Sequence, residues 1–599
     1  MNDQRPFIII LTIILVGVAL LTKLFLIQVA DDSFLKRAER NAIQRVVDHP
    51  YRGLVYDRKG KIMVYNNPIF DLMIIPKEFN VKDTAKFCEI FQISKEHLIE
   101  SYTAARKYSS VKPSPLIKQI STTDFARIQN YLIDYPGLFV MTRAVRSYPQ
   151  PSSANALGYI GEISATQLER DTIKYYRQGD YVGLSGVEGY YEPELRGVKG
   201  VKYKMVNVRG VDKGPFKNGE YDTASVAGRN LTSTIDLDLQ QYGEMLMAGK
   251  RGSVVAIEPK TGEILAMISA PSYDPNLLTG GKFSSNYLEL NQDDSRPLFN
   301  RPIMAMYPPG SIFKVVQSLV GLQMGVLTPN TTFSCNRSLV ACHNHPNPVN
   351  LFGAVKYSCN PYYHQAYRAM INREVSRNTF KDTEVGLNTW REYVVKFGLG
   401  GPLGVDMYNE KGGSIPSSNL YDRIYGPGRW KYSTIYSLSI GQGEMLVTPL
   451  QMANLAAIFA NKGYYYPPHL VKAIDGDPNQ IPIQYRTRKD VGVDPQHFDL
   501  IQDAMAEAIY GTAARAAIRD ITIAGKTGTA QNPQGEDHSV FIAFAPKEDP
   551  KIAIAVYVEN AGWGGRAAAS TASLMIEKYI KGEISRPALE EYVLMGKFM

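Results

Sequence analysis

The chain has 599 residues, a formal net charge of +8, 44% hydrophobic and 21% charged residues. That length is too great for one compact domain, and the composition is that of an ordered protein, not a disordered one. The positive charge is mild and scattered over solvated faces, with no basic cluster interleaved with aromatics, so nucleic acid is not an expected partner.

Residues 6–30, PFIIILTIILVGVALLTKLFLIQVA, are apolar almost throughout, broken by Lys23. About 20 apolar residues cross a bilayer as a helix. The run is longer than the apolar stretch of a cleaved signal, and Gln28 would stand at −3 of a cut after Ala30. An uncleaved single-pass anchor over 6–29 in the cytoplasmic (inner) membrane is expected, with residues 1–5 as a cytoplasmic tail. Everything beyond about residue 30 then lies outside that membrane. Flanking charge is a poor guide, since long domains translocate largely regardless of it.

Residues 30–65 alternate charged and apolar pieces, and RGLVYDRKGKIMVYN (52–66) reads as strand, turn, strand. Helical periodicity follows in 76–140, as in AKFCEIFQI (85–93); 146–164 is turn-rich, and glycines bracket an amphipathic patch in 183–200. TIDLDLQQYGEMLMAG (234–249) reads as a strand feeding a helix, and RGSVVAIEPKTGEILAMIS (251–269) as a hairpin turned at Pro259–Gly262. Helices are expected around 311–325 and 448–460. Strands are expected at 521–525, 539–546 and 551–559, and a last helix from about 567. A helix-rich insert between a hairpin and three late strands is an α+β pattern.

Three short motifs fall on this frame. In YPPGSIFK (307–314), Ser311 and Lys314 are i and i+3, so on a helix they share a face. Pro308, Pro309 and Gly310 place Ser311 at the start of that helix, where developing negative charge is favoured. A serine hydroxyl needs a base, and a lysine in a dry cleft can become one. YSCN supplies Ser358 and Asn360. AGKTGTAQ supplies Lys526 and Thr527 as donors to a carboxylate, and Gly528 for close backbone approach. Alone, Ser311 reads as a helix cap and Ser358 as a loop serine. S-x-x-K, S-x-N and K-T-G in that order over some 200 residues are specific. GKT at 525–527 is not a nucleotide-binding loop, because position 520 is Asp and no helix start follows.

With these motifs the chain resembles the penicillin-recognising serine acyltransferases, and closely the class B penicillin-binding proteins. RGLVYDRKG, GVEGYYEPELRG, AIEPKTGEILAMISAPSYDPN and GQGEMLVTPLQMANLAAIFANKG all look like signatures of that family, and the resemblance covers nearly the whole chain. YPPGSIFK and a cysteine/histidine insertion look like the elongation-specific branch, not the division branch. The resemblance implies a peptidoglycan D,D-transpeptidase. Ser311 attacks the D-Ala–D-Ala carbonyl of a stem peptide, with Lys314 as base. Ser358, assisted by Lys526, relays a proton to the leaving group, and Asn360 binds the substrate amide. Thr527 and Thr529 hold the carboxylate region, and the backbone N–H groups of Ser311 and Thr529 form the oxyanion hole. An amine from a neighbouring stem then takes the acyl group, while a β-lactam antibiotic stalls there. No catalytic cofactor is implied.

Cys335, Cys342 and Cys359 crowd into one stretch with His343 and His345, while Cys88 lies far off. Three thiols and an imidazole make a closed tetrahedral zinc site, with Cys335, Cys342, His345 and Cys359 as the expected ligands and His343 competing for the histidine place. Such a zinc ion is structural and would pin the second motif from behind. The rival is a Cys335–Cys342 disulfide, which leaves Cys359 odd.

The expected architecture is an α+β protein: anchor 6–29, an elongated α/β pedestal (dimerisation-like) over 30–225, and a transpeptidase domain over 226–599 with an antiparallel sheet flanked by helices and an all-helical subdomain. Too little chain precedes the pedestal for a glycosyltransferase domain, so the resemblance implies a multispanning rod-shape peptidoglycan glycosyltransferase as partner. Rival activities are a D,D-carboxypeptidase, a non-catalytic scaffold, and a β-lactamase. EVGLN (384–388) matches a deacylating pattern of the last, although Asn388 reads more simply as a cap of the helix after it.

Overall fold

The computed structural model describes residues 5–26, 43–206 and 212–598. The expected cytoplasmic tail, the end of the anchor and the first stretch of the pedestal fall largely outside the described residues. Arg5–Phe25 form one helix, apolar over Phe7–Phe25, and none of the described residues buries it.

The rest forms two compact units. Among the described residues, the first takes 43–52, 66–145, 196–206 and 212–228. In it, Ile43–Asp48, Gly200–Val206 and Asp212–Pro215 make a three-stranded antiparallel sheet. The later part of the strand Ile62–Ile74 pairs with Ser114–Ile120 and Leu138–Ser147. Helices Thr84–Phe91 and Lys95–Tyr108 start where Asp83 and Ser94 accept N–H bonds from the third residue on. Their apolar faces meet Leu72, Ile74, Leu116 and Leu138 in a small core.

The second unit takes 53–65, 146–195 and 229–599. Its compact body thus includes two segments that lie within the expected pedestal range. At its centre is a five-stranded antiparallel sheet in the order Ile264–Ala270, Gly252–Ile257, Ile552–Val558, His538–Ala545, Ala524–Ala530. The first four strands read as unbroken apolar runs because both faces are covered. Leu237–Leu246 and Ala567–Lys581 pack on one side. Pro449–Ala460, buried at every position, packs on the other. A helix apolar all round has nowhere else to go. Leu351–Lys356, Asn360–Ile371, Thr379–Val395 and Gln496–Ala508 build the helical part.

Two sequence expectations shift. The strand placed at 521–525 is Ala524–Ala530, because its extent is set by its partner, with Ala524 opposite Phe544 and Ala530 opposite His538. Ladder pairing overrides the weak strand propensity of GKTG. Asn388 does not cap the helix that follows it in sequence. The helix runs through it from Thr379 to Val395 and is capped by Asn378, while Asn388 accepts a bond from Ser418 N at 3.4 Å. Glu384 of the same pattern pairs with Lys381 at 2.9 Å.

Within GVEGYYEPELRG, Glu188 meets Arg146 at 2.7 Å with both side chains 1% exposed. Removing Glu188 takes a short charged hydrogen bond from the buried Arg146, so Glu188→Ala is expected to cost about 1.5–3 kcal/mol. Denaturant unfolding of the second unit measures this; a loss under about 1 kcal/mol would show that water reaches the pair.

Candidate active site

Ser311 lies in a 3-10 turn, Gly310–Phe313, that runs directly into the helix Lys314–Gln323. The turn sits against the Ala524–Ala530 strand. Two glycines permit that approach. Gly310 has φ +58°, and a Cβ there would fall 2.7 Å from Thr529 O. A Cβ on Gly528 would fall 3.0 Å from Ile312 Cγ2 and 3.2 Å from Pro309 O. The first and third motifs are therefore pressed together by backbone, closer than side chains allow.

Lys314 is wholly buried. Its Nζ donates to Ser358 O at 2.7 Å, Ser358 Oγ at 3.2 Å and Asn360 Oδ1 at 2.5 Å. All three acceptors come from the second motif. Ser358 has φ +56°, a left-handed conformation unusual for a residue with a side chain, and with it presents both its carbonyl and its hydroxyl to one amine. Cys359 then caps the helix Asn360–Ile371. Asn360 is held at both ends, since its Nδ2 donates to Ala341 O at 2.7 Å.

Burial lowers the Lys314 ammonium to about 8, against a smaller upward pull from Cys342 and Cys359. Lys526 is also wholly buried, and burial, followed by repulsion from Lys314, holds it well below the ordinary lysine range. Two amines in one dry site resist carrying two protons, so one of them is readily available as a base. Lys526 donates to Thr527 O at 3.1 Å, and Thr529 Oγ1 accepts from Gly564 N at 3.4 Å.

Behind the second motif, the donor atoms of Cys335, Cys342, His345 and Cys359 lie within 4.8 Å of one another, and His343 stays outside the group. His345 donates from Nδ1 to Pro346 O at 2.7 Å, which leaves the Nε2 lone pair facing Cys342 Sγ at 3.4 Å. Bonds of about 2.3 Å to sulfur and 2.0–2.1 Å to nitrogen put tetrahedral S and N ligands about 3.5 Å apart, so the spacing fits zinc. A hydrogen bond from Cys359 draws Cys342 down to about 4, and the same bond pushes Cys359 up. The four cysteines of the chain are free.

Three contributors escape sequence reading. Ala341 acts through its carbonyl, which leaves no trace in residue type. Gln442 donates to Thr529 O at 3.3 Å from within GQGEM. Tyr363 lies under Lys314, with Nζ 5.7 Å from its ring centre, and its hydroxyl is 2.7 Å from Ser318 Oγ. Its place one turn after Asn360 was the available signal.

Residues 252–577 match the penicillin binding protein transpeptidase domain, and residues 47–233 match the penicillin-binding protein dimerisation domain. The chain belongs to the penicillin-binding protein transpeptidases, in the class B arrangement that sets a dimerisation domain before the catalytic one. Within that class it is similar to penicillin-binding protein 2. Peptidoglycan D,D-transpeptidase MrdA of Haemophilus influenzae is 30% identical, the match covering 98% of this chain and 93% of that one. MrdA of Escherichia coli K12 is also 30% identical, covering 94% and 92%. The crystal structure of Pseudomonas aeruginosa penicillin-binding protein 2 in complex with WCK 5153 is 28% identical, covers 90% of this chain and 97% of that one, and superposes with a TM-score of 0.65. The Helicobacter pylori complex of penicillin-binding protein 2 with MreC gives 26%, 90%, 100% and 0.72.

To take a proton from a hydroxyl, Lys314 must be the neutral amine. Acylation by benzylpenicillin is therefore expected to rise about tenfold per pH unit up to about 8 and level off above it. Stopped-flow acylation rates across that range check this; a flat profile would assign the proton to another group.

Proposed function

We propose that this chain is the elongation-specific peptidoglycan D,D-transpeptidase of its cell, held by one membrane helix with the catalytic unit on the extracytoplasmic side. The observation that carries the reading is the convergence of Ser358 and Asn360 on the buried Nζ of Lys314, one turn from Ser311. Ser311 Oγ attacks the penultimate D-Ala carbonyl of a donor stem, and Lys314 takes the hydroxyl proton. The N–H groups of Ser311 and Thr529 receive the charge on oxygen. Ser358 passes a proton to the departing D-Ala amine with Lys526 behind it, and Thr527 and Thr529 hold the terminal carboxylate. Asn360 supports the substrate amide while its own side chain is fixed by Lys314 and Ala341. An amine of a second stem takes the acyl group from Ser311. A β-lactam follows the first half and stays bound.

Zinc, held by Cys335, Cys342, His345 and Cys359, has a structural role here. Four protein ligands leave it no open position. The functional border of the transpeptidase domain is placed near 226, with the pedestal before it. A solved peptidoglycan synthase complex described as coordinating polymerization and crosslinking is 25% identical with a TM-score of 0.69. That likeness supports a multispanning glycosyltransferase as the partner that supplies glycan.

Intact mass after benzylpenicillin treatment tests the nucleophile. A stable one-drug adduct is expected, absent in Ser311→Ala; hydrolysed drug without adduct would mean a β-lactamase. With lipid-linked substrate and a glycan polymerase, cross-linked product is expected, and D-Ala release without cross-links would mean a carboxypeptidase. Elemental analysis of the chain purified without added metal is expected to give one zinc per chain; a metal-free, fully acylable chain would overturn the zinc assignment.

A further inference from the structure

The thiol cluster is joined to the catalytic lysine by two short paths. Cys359 stands between Ser358 and Asn360, whose atoms hold Lys314 Nζ. Cys342 follows Ala341, whose carbonyl holds the other end of Asn360. A rearrangement of Cys342 thus reaches one support of Asn360 through Ala341, and a rearrangement of Cys359 reaches the backbone of Asn360 itself. The cluster is also unevenly accessible. Cys359 has no exposed surface and Cys335 has 9%, while Cys342 is only partly covered. A cavity of about 430 Å³ adjoins the site, lined in part by Pro346 and Tyr357. These are the hydrogen-bond acceptor and the stacking partner of His345, whose ring lies parallel to Tyr357 at 5.7 Å.

We infer that the cluster is a reversible redox lock on the second motif: zinc holds the thiols apart as ligands, and after metal loss Cys342 and Cys359 close into a disulfide that draws Asn360 away from Lys314. This rests on the zinc assignment above. Thiolates on one tetrahedral zinc are about 3.8 Å apart, and a disulfide needs about 2.05 Å. Cys359 is fixed at a buried helix start, so the Cys342 segment makes most of the movement and takes Ala341 with it. The oxidant is a small-molecule or protein disulfide of an oxidising compartment. The Cys342 sulfur attacks one sulfur of that disulfide, whose S–S bond breaks, and the first thiol leaves. The Cys359 sulfur then attacks Cys342, the protein S–S bond forms, and the second thiol leaves. Each thiolate released from the oxidant takes up a proton, from the cysteine pair or from water. The protein loses two hydrogens and two electrons, and the oxidant gains them.

The test uses the full chain in detergent, with oxidised glutathione as the probe, before and after zinc removal by a chelator. Metal content of the untreated chain reports on the zinc assignment separately. Zinc-loaded chain is expected to keep all its thiols and its benzylpenicillin acylation rate. Stripped and oxidised chain is expected to lose two mass units, to yield a Cys342–Cys359 cross-linked peptide, and to acylate at least about tenfold more slowly. A phosphine reductant followed by zinc is expected to restore both. Acylation that survives formation of that cross-link overturns the lock. So does a cross-link through Cys335 in its place, or a loss that reduction does not reverse, which would mark unfolding. Cys342→Ser gives a second check: its residual acylation is expected to be unaffected by oxidised glutathione after stripping, and further inactivation of it would also overturn the assignment.

Discussion

The catalytic unit depends on one buried amine. Taking an ammonium out of water is costly unless acceptors replace the lost solvent. Lys314 finds them in Ser358 O, Ser358 Oγ and Asn360 Oδ1, all from one short turn. Structure and chemistry are the same constraint here. The acceptors that let the lysine be buried are the groups to which the proposed mechanism gives the leaving-group proton and the substrate amide. The burial they permit is also what lowers the amine towards neutrality.

Around that lysine, each motif is held by a different kind of force. The serine turn and the Lys526 strand are set by backbone proximity at Gly310 and Gly528. The second motif is set by hydrogen bonds on one side and by the thiol–imidazole group on the other. The strand itself is positioned by its ladder with His538–Ala545, whose side chains are almost wholly buried. The sheet thus carries Lys526, Thr527 and Thr529, while Ser311, Lys314, Ser358 and Asn360 lie on or beside the helical part.

Much of this was legible in the amino-acid sequence. The hairpin, the late strands and the terminal helix follow from runs of Val, Ile and Ala bounded by turn residues. The three motifs, with the four members of the thiol cluster, follow from residue type and spacing. Other features were not legible, for physical reasons. Where the Lys526 strand begins depends on a partner strand and not on its own residues. Asn388 looks like a cap because local preference cannot register that Gly386 lies against Ile371 and the helix continues; a Cβ on that glycine would fall 1.9 Å from Ile371 O. The carbonyl of Ala341 is invisible in principle, since every residue has one. The compact units interleave along the chain, so a single border in sequence cannot describe them.

The close backbone contacts at Gly310 and Gly528 also bear on how such a protein can evolve under antibiotic pressure. Every single-nucleotide change of a glycine codon that encodes a different amino acid adds a Cβ. At these two positions that atom meets the opposite motif. One-step substitution is thus strained at both positions, most of all at Gly310 with its positive φ, and adaptation to a new drug is channelled to positions whose side chains can change without displacing backbone, such as Thr529.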